Sequence, residues 1–222
     1  MDNKVNFDSI DMKYRENSNS LKKYFFLKRG IDIIGSLIGL ILLMPIFIGV
    51  AAILKIEEFE GDIFFSQVRI GKNGEKFIMY KFRSMYMNAE EQLEELLKLN
   101  DISGAMFKMK EDPRITRVGK FIRRTSIDEL PQLWNVLKGN MSLVGPRPAI
   151  PREVKVYTPY DRQRLIVKPG CTGLWQISGR NNLSFNEMVR LDLEYIQHPS
   201  IARDINIIFK TIILMVKPNG AY

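Results

Sequence analysis

The stretch IIGSLIGLILLMPIFIGVAAIL, residues 33–54, decides how this chain is organised, because it holds 22 consecutive uncharged and mostly apolar residues. A membrane helix needs roughly 20 apolar residues, each rising about 1.5 Å. Pro45 lies near the middle of the stretch, lacks a backbone N–H and would clash with the carbonyl of Ile41, so a helix should bend or break there. A broken helix can turn back and leave the membrane on the side it entered. A single kinked crossing is the alternative.

The flanking sequence favours the re-entrant alternative. The segment LKKYFFLKR, residues 21–29, carries four cations in nine residues, which by the positive-inside rule keeps this end in the cytoplasm. The rest of the chain has one cysteine, Cys171, and no second apolar run near 20 residues, which fits a cytoplasmic body. The stretch begins too late and is too long for a cleaved signal peptide.

Composition limits the partners. The chain has 222 residues, with 33 Lys and Arg against 25 Asp and Glu, and a net charge of +8. A basic chain beside an apolar anchor most simply meets anionic lipid or a phosphate-bearing ligand, and nucleic acid is a rival partner. His198 is the only histidine, so a multi-histidine metal centre is excluded, whereas an oxygen-ligated Mg²⁺ site is not.

Beyond the apolar stretch, the pattern predicts a mostly helical (α+β) fold with one small β-hairpin. Residues 62–69 and 76–82 are β-prone runs on either side of a Gly71–Gly74 turn. Helices are predicted over residues 89–99, 126–137 (ended by Gly139), 184–198 and 204–217. The last of these could pack in the core or lie at the membrane interface.

The strongest chemical signal is Asp128-Glu129. Ser126 and Glu129 match a capping box, which would place both acids at a helix N-terminus, where negative charge is favoured. Residues 108–124 just before them hold seven cations and two acids. Two adjacent carboxylates beside arginines predict a site for phosphate and a divalent cation, with an ionised Asp as metal ligand or nucleophile. Simple helix capping is the alternative reading.

Weaker signals lie further along the chain. Arg147 stands between two prolines, and its guanidinium has the fork geometry that phosphate oxygens match. The segment Lys168–Gly173 is a Gly-rich turn beside a cation; it could face a phosphate, but such turns are also common in loops. Asp192 is an acid on a predicted helix and would ordinarily be solvated.

Together these residues resemble one family, the bacterial sugar transferases, that is, the monotopic polyprenyl-phosphate phosphoglycosyl transferases. The resemblance runs from about residue 28 to the C-terminus and suggests the minimal catalytic form without extra N-terminal transmembrane helices. Six motifs carry it in order: KRGID (28–32), YKFRSM (80–85), TSIDELPQL (125–133), NVLKGNMSLVGPRP (135–148), KPGCTG (168–173) and SGRN (178–181).

The resemblance implies transfer of a sugar 1-phosphate from a UDP-sugar to a polyprenyl phosphate, with release of UMP. Asp128 would be the nucleophile that holds the sugar phosphate covalently, and Glu129 would support an Mg²⁺ ion near Asp128 and position the aspartate. The implied location is the cytoplasmic face of the bacterial inner membrane, in contact with phospholipid.

The resemblance also assigns roles to other residues. Arg123 and Arg147 match phosphate-binding positions, and either Lys81 or Arg83 should do likewise. Asp192 would deprotonate the incoming polyprenyl phosphate or assist the metal, and Pro45 would break the re-entrant helix, although the family often has Ser-Pro where this chain has Met44-Pro45.

We therefore expect a tail over residues 1–27, a re-entrant helix over 28–56 and a compact helical catalytic domain with interfacial helices over 57–222. We expect no nucleic-acid partner and leave homo-oligomer formation open. A membrane-tethered nucleic-acid binder and a non-catalytic scaffold for polysaccharide assembly are the two other functions considered.

Overall fold

The apolar stretch forms two helices that meet at a bend. The computed structural model describes residues 19–89, 91–92, 109, 112–179 and 183–216. Helix α1 (Asn19–Leu42) and helix α2 (Met44–Glu57) are bent by 57° relative to each other. Pro45 lies in the first turn of α2, where a missing N–H breaks no hydrogen bond. The predicted break is confirmed, but the helix already begins at Asn19, ahead of the predicted boundary at residue 28.

By length and composition, α1 and α2 meet the requirement for crossing a membrane only as a pair. Among the described residues, no single helix is long and apolar enough by itself. Many of the large apolar side chains of this pair are exposed, including Ile34, Ile41 and Leu42.

The predicted hairpin is confirmed. Strand β1 (Phe64–Ile70) pairs antiparallel with β2 (Lys76–Phe82), with Phe65 opposite Lys81. The turn between them includes Gly74, whose φ of 84° favours glycine. Since side chains alternate along a strand, Lys81 shares a face with the buried Phe77 and Met79.

Short helices and one parallel strand pair make up most of the rest. The further helices are α3 (Arg117–Arg124), α4 (Gln132–Lys138), α5 (Pro151–Lys155), α6 (Pro159–Arg162), α7 (Leu174–Ser178), α8 (Phe185–Gln197) and α9 (Ile201–Val216). Helices α8 and α9 confirm two predicted helices, and Gly139 ends α4 with a φ of 91° as expected. The helix predicted over residues 89–99 lies almost wholly outside the described residues.

The Gly-rich segment around Cys171 is a strand. Strand β4 (Gly170–Thr172) runs parallel to β3 (Ser142–Val144). A Cβ on Gly170 would lie 2.1 Å from the backbone nitrogen of Gly145, so glycine is needed here for close backbone packing. Residues 170–172 therefore form a strand where a turn was predicted, and contact of this segment with phosphate stays a prediction.

Helix α4 is tied to the hairpin by one buried side chain. Asn135 accepts a hydrogen bond from the backbone N–H of Tyr80 at 3.0 Å and donates to the carbonyl of Ile78 at 2.7 Å, so its amide pairs with β2 as another strand would. Because α4 follows directly after Asp128 and Glu129, this contact brings the acid pair beside the end of β2, where Lys81 lies.

Polar contacts also fix α1 to the rest of the chain. Arg29 donates to the carbonyls of Val136 and Leu137 at the C-terminal end of α4, at 2.7 and 2.8 Å. Asp32 accepts from the hydroxyl of Ser142 and the N–H of Leu143, both at 2.9 Å. These contacts account for the Arg and Asp of the KRGID motif.

Three apolar clusters occur among the described residues, and two of them are central to the packing around the site. The larger joins α8, α9, β3 and α7 through buried side chains that include Val144, Trp175, Leu193 and Ile207. A smaller core, Val50, Leu54, Phe82 and Ile122, packs α2 against β2 and α3. The second core holds the end of the bent helix pair next to the elements that carry the acids.

Candidate active site

The acid pair lies in a short 3₁₀ turn between two helices. Helix α3 ends at Arg124, the turn covers Ile127–Glu129, and α4 begins at Gln132. Ser126 has a φ of 58° and its side chain makes no capping hydrogen bond. The predicted capping box was wrong, because an N-cap residue needs an extended backbone and Ser126 is left-handed. The acids therefore precede α4, and the helix predicted over 126–137 begins later.

Lys81 lies between the two carboxylates. Its Nζ is 2.5 Å from Oε1 of Glu129 and 3.7 Å from Oδ2 of Asp128. The Asp128 side chain is only 7% exposed, whereas that of Glu129 is 37% exposed. Asp128 is thus buried with a nearby cation that is too distant for a hydrogen bond.

The pKa values of the two carboxyl groups are shifted in opposite directions. Burial raises the pKa of Asp128, and the neighbouring charge of Glu129 adds to the rise, against the opposing effects of Lys81 and Arg123. Burial also acts to raise the pKa of Glu129, but the charge and hydrogen bond of Lys81 outweigh it and lower that pKa. Asp128 is therefore the more basic of the two carboxylates.

Arg123 flanks the acid pair from α3. Its Nε donates to the hydroxyl of Ser84 at 2.8 Å, which fixes the guanidinium. Burial lowers the pKa of Arg123, and the charge of Asp128 acts in the opposite direction. The structure thus brings Arg123, one of the predicted site residues, close to the acid pair.

Arg147 approaches the site together with Arg69, which the sequence reasoning missed. Burial, followed by the repulsion of Arg147, lowers the pKa of Arg69 to about 10, while Glu129 acts to raise it. The Nε atoms of Arg69 and Arg147 are buried and make no hydrogen bond to any residue that the structure describes. Both are donors available to an anion. Arg69 lies opposite Phe77 across the hairpin, so the two side chains share one face of it. This alternation is the sequence signal that could have predicted the burial of Arg69.

Arg83 is engaged in a different contact. Its guanidinium pairs at 3.0 Å with Glu58, the residue that follows α2. It also donates to the carbonyl of Leu54 in the last turn of α2. A side chain on Gly61 would overlap this guanidinium, since a Cβ there would lie 1.2 Å from it. Of the two alternatives Lys81 and Arg83, the structure places Lys81 at the acid pair.

The other described cations before the acid pair differ in their surroundings. Arg114 is buried and makes a bidentate pair with Asp112. Arg117, Lys120 and Arg124 are exposed. Lys108 and Lys110 lie outside the described residues.

Asp192 lies on α8 in a separate buried ion pair. Its Oδ2 accepts from Nε and Nη2 of Arg164 at 2.8 and 2.6 Å, and Arg164 also donates to the hydroxyl of Tyr157 at 3.0 Å. Burial raises the pKa of Asp192 to about 6, although Arg164 and Arg147 lower it. The charge of Arg147 is the link between this pair and the acid pair; the catalytic role expected for Asp192 stays a prediction.

The acid pair suits a magnesium ion that is shared with a substrate. No cluster of three or more His, Cys, Asp or Glu side chains occurs among the described residues. Mg²⁺ in phosphate-transfer sites is commonly held by one or two carboxylates plus substrate phosphates and water. Asp128 and Glu129 supply two adjacent carboxylates, so the donor set fits that arrangement.

Comparison with known proteins decides the family. The family model described as bacterial sugar transferase matches residues 23–218. The chain belongs to the bacterial sugar transferase family. This match includes the acid pair, Lys81 and the three arginines of the site.

Named relatives of this sugar transferase fall into two lengths. It is 46% identical to the galactosyl transferase CpsE of Streptococcus agalactiae over 98% of its own length and 51% of the relative's. It is 44% identical to the undecaprenyl-phosphate galactose phosphotransferase of Salmonella typhimurium, over 93% of its own length and 44% of the relative's. The chain thus spans about half the length of these relatives. It covers 88% of the exopolysaccharide production protein ExoY of Rhizobium meliloti, at 40% identity over 88% of the chain.

Proposed function

We propose that this bacterial sugar transferase moves a sugar 1-phosphate from a UDP-sugar to a polyprenyl phosphate through a covalent intermediate on Asp128. The observation that carries this proposal is the acid pair, in which Asp128 is buried, with Lys81 between the two carboxylates and arginine side chains around them. One relative is named an undecaprenyl-phosphate galactose phosphotransferase, and this name supports the reaction class. The reaction would begin assembly of an exopolysaccharide, as the name ExoY suggests.

In the first step, a carboxylate oxygen of Asp128 attacks the β-phosphorus of the UDP-sugar. A new oxygen–phosphorus bond forms to Asp128, and the bond from that phosphorus to the bridging oxygen breaks. UMP leaves with the bonding electron pair, and the sugar phosphate remains on the carboxylate. This step needs an ionised but basic carboxylate.

The environment of Asp128 meets both needs. Burial raises its pKa and so makes the anion more basic, and nucleophilicity rises with basicity. Lys81 and Arg123 keep the anion ionised at neutral pH. Glu129 holds Lys81 at 2.5 Å, which keeps the cation from forming a closer pair with the nucleophile.

Arg69, Arg123 and Arg147 would bind the diphosphate. Two of them present buried, unpaired Nε donors, which become satisfied when phosphate oxygens bind. Charge–charge attraction of this kind grows as negative charge develops on the leaving UMP. An Mg²⁺ ion held by Asp128 and Glu129 would neutralise the diphosphate further.

In the second step, a phosphate oxygen of the polyprenyl phosphate attacks the same phosphorus and displaces Asp128. The carboxylate is regenerated, and the product is a lipid-linked sugar diphosphate. Two displacements at one phosphorus allow donor and acceptor to use the same site in turn, so UMP can leave before the lipid reacts.

The second substrate requires the site to lie at a membrane. We infer that α1 and α2 form a re-entrant element that enters and leaves on the cytoplasmic face. The 57° bend and the exposed apolar side chains of both helices support this inference. Impermeant thiol labelling of Lys22→Cys and Lys76→Cys variants in oriented vesicles tests it. Both positions should be labelled from the cytoplasmic side, and labelling from opposite sides would contradict the re-entrant arrangement.

A UMP-release assay tests the reaction itself. The full chain in detergent is given Mg²⁺, undecaprenyl phosphate and a panel of UDP-hexoses that includes UDP-galactose and UDP-glucose. We expect UMP and a lipid-linked sugar diphosphate in equal amounts with at least one donor, and neither product with the matched Asp128→Asn control. Release of UDP in place of UMP would exclude phosphosugar transfer.

A further inference from the structure

A basic cavity lies at the beginning of α1, away from the acid pair. Its volume is about 190 Å³, and α1, the hairpin turn, β3 and the segment before β4 enclose it. Its cationic lining residues are Lys28, Arg29, Lys72 and Lys168. None of its lining residues belongs to the acid pair or to the arginines around it, so this is a separate feature.

The cavity has an excess of positive charge. The one acid among its described lining residues is Asp32, which already accepts hydrogen bonds from Ser142 and Leu143. Lys28 is neutralised by Asp204 at 3.1 Å. Within the described part of the chain, Lys72 and Lys168 have no carboxylate partner.

Two of these cations are held close together. The position of a Cβ on Gly139 lies 3.4 Å from Nη2 of Arg29 and 3.6 Å from Nζ of Lys168. The Arg29 group is fixed, because it donates to the carbonyls that end α4. Burial and the repulsion of Arg29 lower the pKa of Lys168. Like charges at this separation repel, and an anion between them would remove the repulsion.

The exposed apolar side of α1 begins at the level of this cavity. Phe26 is 80% exposed and Leu27 55% exposed, and both lie within one helical turn of Lys28 and Arg29. The exposed apolar face continues toward Leu42. If the bent helix pair enters a bilayer as proposed above, the cavity lies at the depth of the lipid headgroups.

We propose that this cavity binds the phosphate of one anionic phospholipid headgroup, such as that of phosphatidylglycerol. Lys72 and Lys168 supply the unpaired charge, and Arg29 and Lys28 are fixed beside them. A lipid there would connect α1 to the segment before β4 and set the depth of the enzyme at the membrane. The inference rests on the proposed membrane location but not on the transfer reaction.

Native mass spectrometry of the full chain in neutral detergent tests this proposal. Phosphatidylglycerol, phosphatidylcholine and inorganic phosphate are each added to the wild type, to Lys72→Gln/Lys168→Gln, and to the matched control Lys22→Gln/Lys23→Gln. The control removes two exposed cations from the same end of α1, outside the cavity. Detergent removes the surface potential of a bilayer, so only a specific site should retain lipid.

We expect one phosphatidylglycerol on the wild type and on the control, and at least a tenfold smaller bound fraction on the cavity variant. Equal loss in the cavity variant and the control, equal retention of phosphatidylcholine, or binding of inorganic phosphate without retained lipid would overturn the proposal. Unchanged thermal unfolding of both variants shows that they fold. Flotation with phosphatidylcholine vesicles reports membrane location separately, and UMP release reports the transfer reaction.

Discussion

Two buried aspartates of this transferase meet cations in different ways. Oδ2 of Asp192 accepts from two nitrogens of Arg164 at 2.6 and 2.8 Å, and Arg164 also donates to the hydroxyl of Tyr157. Asp128 has its nearest cation, Lys81, 3.7 Å away, and that cation is bound more closely by Glu129. Burial raises the pKa of both aspartates.

We expect this difference to separate a carboxylate that holds elements of the fold together from one that is available for chemistry. Two guanidinium nitrogens of Arg164 contact Oδ2 of Asp192 and offset its buried charge, while its Oδ1 makes no hydrogen bond to a described residue. A buried carboxylate with only a distant cation keeps a reactive oxygen, at a cost in stability. Burial and a raised pKa alone would not distinguish the two, whereas the contact geometry does.

The largest expected effect is on turnover when Asp128 is changed. Asp128→Asn preserves size but removes the charge needed for attack, so UMP release should fall at least about a thousandfold. Glu129→Gln in the same assay should leave more activity, because its role is to hold Lys81 and a metal. An Asp128→Asn protein with near-normal turnover would remove the distinction between the two aspartates.

The next largest effect is on stability when Arg164 is changed. Arg164→Leu leaves Asp192 buried without its partner, so unfolding free energy should fall by about 3 to 5 kcal/mol. Arg203→Leu is the matched control, since its pair with Glu194 is partly exposed and should be worth at most about 1 kcal/mol. Denaturant unfolding measures both.

Activity of the Arg164→Leu protein sharpens the comparison. Assayed at a temperature where it remains folded, its turnover per folded molecule should stay within about tenfold of wild type. A stable but inactive protein would show that the Asp192–Arg164 pair takes part in the chemistry, as the sequence resemblance suggested for Asp192.

How much of this could be predicted from the sequence depended on the range of each interaction. The bend at Pro45, the hairpin and the end of α4 at Gly139 follow from local rules and were confirmed. The capping box failed because Ser126 adopts a left-handed conformation that adjacent residues alone do not reveal.

Contacts between distant segments could not be predicted from the pattern. The pairing of Arg164 with Asp192, and the engagement of Arg83 with Glu58, depend on how separate elements pack. Lys81 and Arg83 are equivalent in the local sequence pattern, and only the position of the acid pair at the end of β2 separates them. Arg69 was overlooked for the same reason, since its neighbour Arg147 lies in a distant loop.

The smallest expected effect is a pH-dependent gain in stability. The pKa of Asp128 is raised from about 3.9 in the unfolded chain to about 6 in the folded protein. The folded state therefore binds more protons than the unfolded state between these two pH values. Stability therefore falls as pH rises through this interval. Asp128→Asn removes the titration and should stabilise the protein at pH 7.5 by on the order of 1 to 3 kcal/mol, with the gain lost below about pH 4.

A control with the opposite sign is available on α8. Ser184 lowers the pKa of Glu187 by hydrogen bonding, so Glu187→Gln should lose stability at neutral pH and approach wild type at low pH. Thermal unfolding across pH measures both variants. A gain for Asp128→Asn that did not change with pH would contradict the assigned ionisation of Asp128.

The most direct test of the central claim is the mass of the enzyme after reaction with donor alone. Wild-type protein given UDP-sugar and Mg²⁺ without polyprenyl phosphate should release one UMP per chain and gain the mass of one sugar phosphate. Peptide mapping should place that mass on Asp128, and later addition of polyprenyl phosphate should remove it. An adduct mapped to Glu129 or Asp192, or UMP released only when the lipid acceptor is present and with no adduct formed, would contradict the account.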